Sequence, residues 1–268
     1  MKLLKKLSNK ILRFLVEIIV KYLPDKFGEL LEFKLAIKQG KWANYNIRDE
    51  VKRSLNLLGY PPSVFVDIGA HEGNYTKELL EIYPQTICHL FEPSKKNNTS
   101  LNETFSNREN IFIHPYCLSD SNSIGKFYSD QDGSQLGSLI KRYFVKEANV
   151  NFEFSEEVII KRFDEYWLQE NLPEKIDFIK IDVEGYEMNV LKGIGELIEN
   201  ISLIQFEFGG TQIDTRNFFR DFWLYFEEKK FNLFRITQNG IKPINYYHEN
   251  LESFYYSNYL AINSRIKS

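Results

Sequence analysis

Cysteine is scarce: the 268-residue chain has two, Cys88 and Cys117. They stand far apart and form neither a CxxC pair nor a zinc-binding pattern. Free thiols in a reducing, cytoplasmic compartment are therefore expected. Charge of one sign is also lacking. A net charge of -3 and a pI near 5.9 give no global reason for a nucleic-acid partner. No uncharged apolar run reaches the roughly 18 residues of a spanning helix. Internal repeats and low-complexity tracts are absent too. The remaining composition, 43% hydrophobic and 26% charged, is that of an ordinary soluble globular chain. Its length allows one large domain plus an extension.

The first 23 residues stand apart. Leu4, Leu7, Ile11, Phe14, Ile18 and Tyr22 recur at helical steps on one face. Lys2, Lys5, Lys6, Lys10, Arg13 and Lys21 oppose only Glu17. Arg13 and Glu17 interrupt the apolar core that a secretory signal needs. Two readings stay open. The helix packs on its own domain or a second subunit, or it lies on an anionic membrane surface. The second would make a cytoplasmic protein peripheral at the inner membrane. The sequence leaves the oligomeric state open.

Helical patterns continue to residue 58, and "GYPPS" then breaks them. Two units are expected: a helical extension, 1–58, and a main domain, 59–268. In the main domain short apolar strands alternate with helical patterns. Strands are expected in "SVFVDIG", "TICHLFEP", "IFIHPYCLSD", "KIDFIKIDVEG" and "ISLIQFEF", and a helix over 215–230. "FNLFRIT" and "SNYLAINS" close the chain as an antiparallel edge pair. The fold class is α/β with a mostly parallel sheet. The segment from Ser121 to Pro173 is too long for a connection and is expected to shape a substrate site. Its Tyr128, Tyr143, Phe144 and Trp167 are candidates to stack on a sugar ring.

Ligands in such sheets bind beyond the carboxyl ends of the strands. Asp67, Gly69, Glu92, Asp120, Asp182 and Glu207 all fall at or near such ends. Gly69 and Gly73 let the backbone turn sharply and approach a ligand. Glu92 ends the next strand, where an acid can accept ribose hydroxyls. The dinucleotide pattern G-x-G-x-x-G is absent, because His71 stands where the middle glycine would be. Asp67 and Glu72 would repel a pyrophosphate. The acids suit a cationic ligand such as the amino group of S-adenosylmethionine. The bland alternative is a tight turn without a ligand.

"FVDIGAHEGNYT", "HLFEPSKKN", "CLSD", "FIKIDVEGYEMNVLKGI" and "NYLAINS" resemble the FkbM family of S-adenosylmethionine-dependent methyltransferases over about residues 60–264. The resemblance implies a class I methyltransferase (Rossmann-like) fold, a seven-stranded sheet with one antiparallel edge strand. It implies Asp67, Gly69, Ala70 and Gly73 around the methionine part of the cofactor. It further implies Glu92 on the ribose and Ser119 and Asp120 beside the adenine.

Strand alternation would put Lys180, Asp182 and Glu184 on one face. Buried charges so close must pair or meet a ligand. Asp182 is the candidate for the cofactor's cationic end or for the acceptor's proton. Glu184 and His71 are the other candidate bases. Glu187 fits as a favourable charge in a first helical turn, and Lys180 as a neutraliser. His89 reads as structural. Methyl transfer asks the protein to align the reacting atoms, exclude water and accept a proton. Asp182 and Glu207 raise a magnesium-site alternative, but two acids are a thin signal and no metal is expected. The leading expectation is an O-methyltransferase for a sugar, glycan or secondary-metabolite hydroxyl. The alternatives are a non-catalytic cofactor-binding scaffold and a nicotinamide-dependent oxidoreductase.

Overall fold

The computed structural model describes residues 2–142 and 151–266. Three helices lead the chain: α1 (Lys2–Tyr22), α2 (Asp25–Gln39) and α3 (Ile47–Leu58). The alternating region follows as β1 (Val64–Ile68), α4 (Asn74–Ile82), β2 (Ile87–Phe91), α5 (Lys95–Thr104) and β3 (Ile111–His114). Next come β4 (Cys117–Ser119), β5 (Ser123–Ser129), β6 (Phe154–Arg162) and α6 (Phe163–Gln169). The last third holds β7 (Ile176–Ile181), α7 (Glu187–Ile194), β8 (Ile201–Phe208), α8 (Thr211–Thr215), α9 (Phe219–Glu228), β9 (Phe231–Thr237), β10 (Gly240–Ile244) and β11 (Ser257–Asn263).

The main sheet has eight strands, in the order β10-β9-β11-β8-β7-β1-β2-β3. Strands β3, β2, β1, β7 and β8 run parallel. β1 lies in the middle, and all five of its residues are buried. A strand covered on both faces reads as a continuous apolar run, and only Asp67 breaks it. The covers are two apolar clusters. One holds Phe163 and Trp167 of α6, Leu191 of α7 and Phe222 of α9. The other holds Val51, Leu55 and Leu58 of α3 with Leu79 of α4 and Phe65 of β1. The boundary expected at residue 58 therefore cuts a continuous core, because α3 packs on the strand that follows it.

Three further expectations change. Two strands run against the rest, not one: besides the edge, β11 inserts between β8 and β9, antiparallel to both. The edge is an eighth strand, β10, which turns back from β9 through a two-residue Gln238–Asn239 loop. "IFIHPYCLSD" is two strands, not one. β3 ends the main sheet at His114; past Pro115, β4 joins a second sheet of three strands, β4-β6-β5. The helix expected over 215–230 is the shorter α9, starting at Phe219, and Thr215 instead ends α8.

Among the described residues no helix is long and apolar enough to cross a membrane. The described apolar side chains of α1, including Ile11, Phe14, Ile18 and Tyr22, are exposed and do not pack on the domain.

Candidate active site

The sheet changes winding direction between β1 and β7, the place where open α/β sheets bind ligands. Two cavities lie there, above the strand ends. The first has an empty volume of ≈ 550 Å³ and is lined by Phe91, Tyr116, Leu118, Phe127 and Leu139, with Glu92 at its edge. The second, ≈ 1280 Å³, opens towards α3 and α8 and is lined by Glu50, Lys180, Glu207, Thr211, Arg142 and Tyr256. Gly69, His71, Gln135, Asp182 and Glu184 line both. These five form a shared wall.

The wall is stitched by backbone. Gly69 and Ala70 donate to the Phe91 carbonyl at 2.9 and 3.1 Å, and Asp182 donates to the Ile68 carbonyl at 3.0 Å. A Cβ on Gly69, which has φ of 80°, would lie 1.8 Å from the Asp182 carbonyl oxygen. Packing alone thus requires glycine there. A Cβ on Gly73 would lie 2.6 Å from the Phe105 ring, so Gly73 serves the contact between α4 and the end of α5. Neither glycine needs a ligand to explain it.

Glu92 is buried at the end of β2. Its carboxylate accepts from the His71 backbone N–H at 2.9 Å, the Ser94 N–H at 3.0 Å and the Asn97 amide at 3.4 Å. Burial raises its carboxyl above the usual range and these donors pull it back. A carboxylate has about four lone-pair sites, so this one can still accept from a diol. His71 has a left-handed φ of 50°. Its Nε2 lies 3.1 Å from the Gly133 carbonyl, which can only accept. His71 therefore donates from Nε2, leaving the Nδ1 lone pair free.

Lys180 is buried between two acids, 3.5 Å from Asp67 and 3.2 Å from Asp182. The neutralising role expected of it is the one it plays. Asp67 also accepts from the Thr76 hydroxyl at 2.7 Å and is fully buried. The strand ends at Ile181, so alternation does not carry Glu184 to the site; a left-handed turn with φ of 53° does. Glu184 pairs with Arg142 at 3.6 Å. Burial, with Asp182 and Glu187 adding repulsion, pushes its carboxyl up to about 8. Glu187 is fully buried and accepts from Val183 N–H at 3.0 Å, Gly185 N–H and the Gln212 amide. It pins this turn rather than merely facing a helix dipole.

Of the residues expected at the cofactor, Gly69, Glu92 and Asp182 line the first cavity. Ala70 lines only the second. Asp67 and Gly73 lie beneath the wall. Ser119 and Asp120 line neither cavity, although Cys117 and Leu118 just before them line the first; Ser119 donates to Asp120 at 3.0 Å, and Asp120 accepts from Asn189 at 3.3 Å. Trp167 is fully buried and donates to the Pro173 carbonyl at 2.8 Å, so it cannot stack on a sugar. Tyr128 lines neither cavity. Tyr143 and Phe144 lie outside the described residues.

Gln135, Tyr116, Phe127 and Glu50 were not singled out. Gln135 and Phe127 lie in the long insert, whose 130–142 segment crosses both cavities. Ser138 fastens that segment by donating to the Glu184 carbonyl at 2.8 Å. Glu50 comes from α3, where nothing local distinguishes it from a surface acid.

The model of the FkbM methyltransferase domain matches residues 67–233. The chain belongs to this family. Its methyl donor is S-adenosylmethionine. The first cavity fits that molecule: a buried carboxylate for a diol, aromatic and aliphatic walls, and acids at one end for a cation. The family match overturns the oxidoreductase alternative.

This FkbM-family chain is 26% identical over 170 residues to the 2-O-methyltransferase NoeI of Sinorhizobium fredii, covering 60% of the chain and 70% of NoeI. It is 26% identical over 169 residues to Methyltransferase 1 of Beauveria bassiana, covering 56% of the chain and 68% of that protein. The plantazolicin methyltransferase BpumL, solved with S-adenosylhomocysteine, superposes with a TM-score of 0.45 at 11% identity, covering 91% of this chain and 93% of that one.

Proposed function

We propose that the chain transfers a methyl group from S-adenosylmethionine to a hydroxyl of a sugar, glycan or secondary metabolite held in the second cavity. The observation that carries this reading is the shared wall of Gly69, His71, Gln135, Asp182 and Glu184 between the two cavities. The relative NoeI, a 2-O-methyltransferase by name, supports an oxygen acceptor.

Bound in the first cavity, S-adenosylmethionine supplies an electrophilic methyl group on a sulfonium. Glu92 holds the ribose hydroxyls, and Asp182 faces the cationic end. Phe91, Tyr116 and Leu118 exclude water from the apolar part. His71 accepts the acceptor hydroxyl's proton on Nδ1, its ring fixed through Nε2 by Gly133. Asp182 is engaged by Lys180 at 3.2 Å. Glu184, held at about 8, is mostly protonated at neutral pH.

The test is turnover. Incubation with S-adenosylmethionine and a library of sugars and hydroxylated metabolites should add one methyl to at least one member. His71→Ala should lower kcat by roughly 10²–10⁴-fold with little change in cofactor affinity. Cofactor binding with no transfer to any hydroxyl would return the scaffold reading.

A second reading concerns α1. With its described apolar side chains exposed and its charges mostly basic, we propose that it rests on an anionic membrane surface. Sedimentation with anionic vesicles that is unchanged by deleting residues 1–23 would sink this.

A further inference from the structure

The second cavity holds more carboxyl groups (Glu50, Asp182, Glu184 and Glu207) than cations, Lys180 and Arg142, to pair with them. Asp182, Glu184 and Glu207 each offer a carboxylate oxygen, and these three oxygens lie within 4.8 Å of one another. Lys180 pairs with Asp182 but is shared with Asp67. Arg142 pairs with Glu184 at 3.6 Å but also with Asp214 at 3.5 Å. Glu207 is 4% exposed and has no ion-pair partner among the described residues.

A second, independent observation points the same way. Thr211, 7% exposed, lines this cavity, and its buried hydroxyl has no hydrogen-bond partner. A buried hydroxyl without a partner is costly unless something else meets it.

We propose that Asp182, Glu184 and Glu207 bind one divalent cation in the second cavity, with the Thr211 hydroxyl beside it to hold a metal-bound water. Hard cations take carboxylate oxygens and water. Oxygens on opposite sides of one calcium ion stand roughly 4.6–5.2 Å apart, and those on magnesium about 4.0–4.2 Å. The triad's spacing suits either after a small inward shift. The ion would then stand where an acceptor hydroxyl must be oriented. That role, though not the site, rests on reading the second cavity as the acceptor site.

The experiment is a titration of Mn²⁺ into the full chain after exhaustive chelation, followed by electron paramagnetic resonance. S-adenosylhomocysteine is titrated calorimetrically in parallel. Wild type should bind one Mn²⁺ that Mg²⁺ or Ca²⁺ displaces. Glu207→Gln should weaken Mn²⁺ about tenfold or more and leave S-adenosylhomocysteine affinity unchanged, which also reports an intact fold. Thr211→Val, nearly isosteric, should weaken Mn²⁺ about threefold and serves if Glu207→Gln does not fold.

No Mn²⁺ binding by wild type, or equal binding by both variants, would overturn the proposal. So would Glu207-dependent binding of glucosamine without any Mn²⁺ binding, which would assign the triad to a cationic acceptor. Mn²⁺ bound at Glu207 with no S-adenosylhomocysteine binding would keep the site and defeat the methyl-transfer reading instead.

Discussion

The two cavities share five residues and little else. The first is walled mostly by carbon, and its one carboxylate outside the shared wall is tied down by backbone and amide donors. The second is walled by Glu50, Glu207, Lys180 and Arg142 as well as the shared acids, and it is more than twice as large by empty volume. A binding site for a fixed cofactor can be built from short local segments that always meet the same atoms. A site for an acceptor is assembled from remote pieces: α3, the 130–142 segment, β8 and the residues before β11.

The comparison can be broken most severely at the wall itself. Gly69→Ala puts a Cβ into the Asp182 carbonyl and strains a φ of 80°. It should cost about 3 kcal/mol or more and damage both cavities together, read as a lower urea midpoint with loss of S-adenosylhomocysteine binding. An unchanged midpoint would mean that the wall tolerates separation.

The next effect is one-sided. Glu92→Ala should weaken S-adenosylhomocysteine by about 1–3 kcal/mol, the range for stranding buried donors and losing charged hydrogen bonds. Calorimetry reads the loss, and Mn²⁺ binding at the triad should be untouched. Equal losses on both sides would show the cavities to be coupled rather than merely adjacent.

The smallest effect separates the two sides by pH. Behind the first cavity, burial holds His89 and His114 down to about 4, with His89 Nδ1 3.1 Å from His114 Nε2. Their contribution is full above the ordinary histidine pKa of about 6.5 and is lost as pH falls from there towards 4. Beside the second cavity, burial pushes Glu50 up to about 7. Its contribution is full below the ordinary glutamate range and is lost as pH rises through 7. Each should be worth of order 1 kcal/mol. Urea unfolding at pH 5, 6, 7 and 8 should therefore lose stability at both ends. Glu50→Gln should flatten the alkaline limb, and His89→Asn the acid one. A Glu50→Gln variant that keeps the alkaline slope would assign it elsewhere.

The same division explains what the sequence made legible. β1, β2 and β7 are mostly apolar strands with an acid at or just past the carboxyl end, so their position and Glu92 were readable. Asp67 and Gly73 were read as cofactor contacts because a motif has no depth. Asp67 is spent on Thr76 and Lys180 below the wall, and Gly73 on the Phe105 ring. Pro115 was the missed signal in "IFIHPYCLSD", where the chain leaves one sheet for another. No local pattern could place Glu50 and Gln135 in the second cavity, because each arrives there through long-range packing.

The α3 contribution also bears on redesign. Ile47 and Glu50 face only the second cavity, as do Leu136 and Tyr256. Exchanging these four side chains leaves every first-cavity residue in place. On the proposed reading of the two cavities, libraries confined to these positions would sample acceptor selectivity while the donor-binding half is inherited intact.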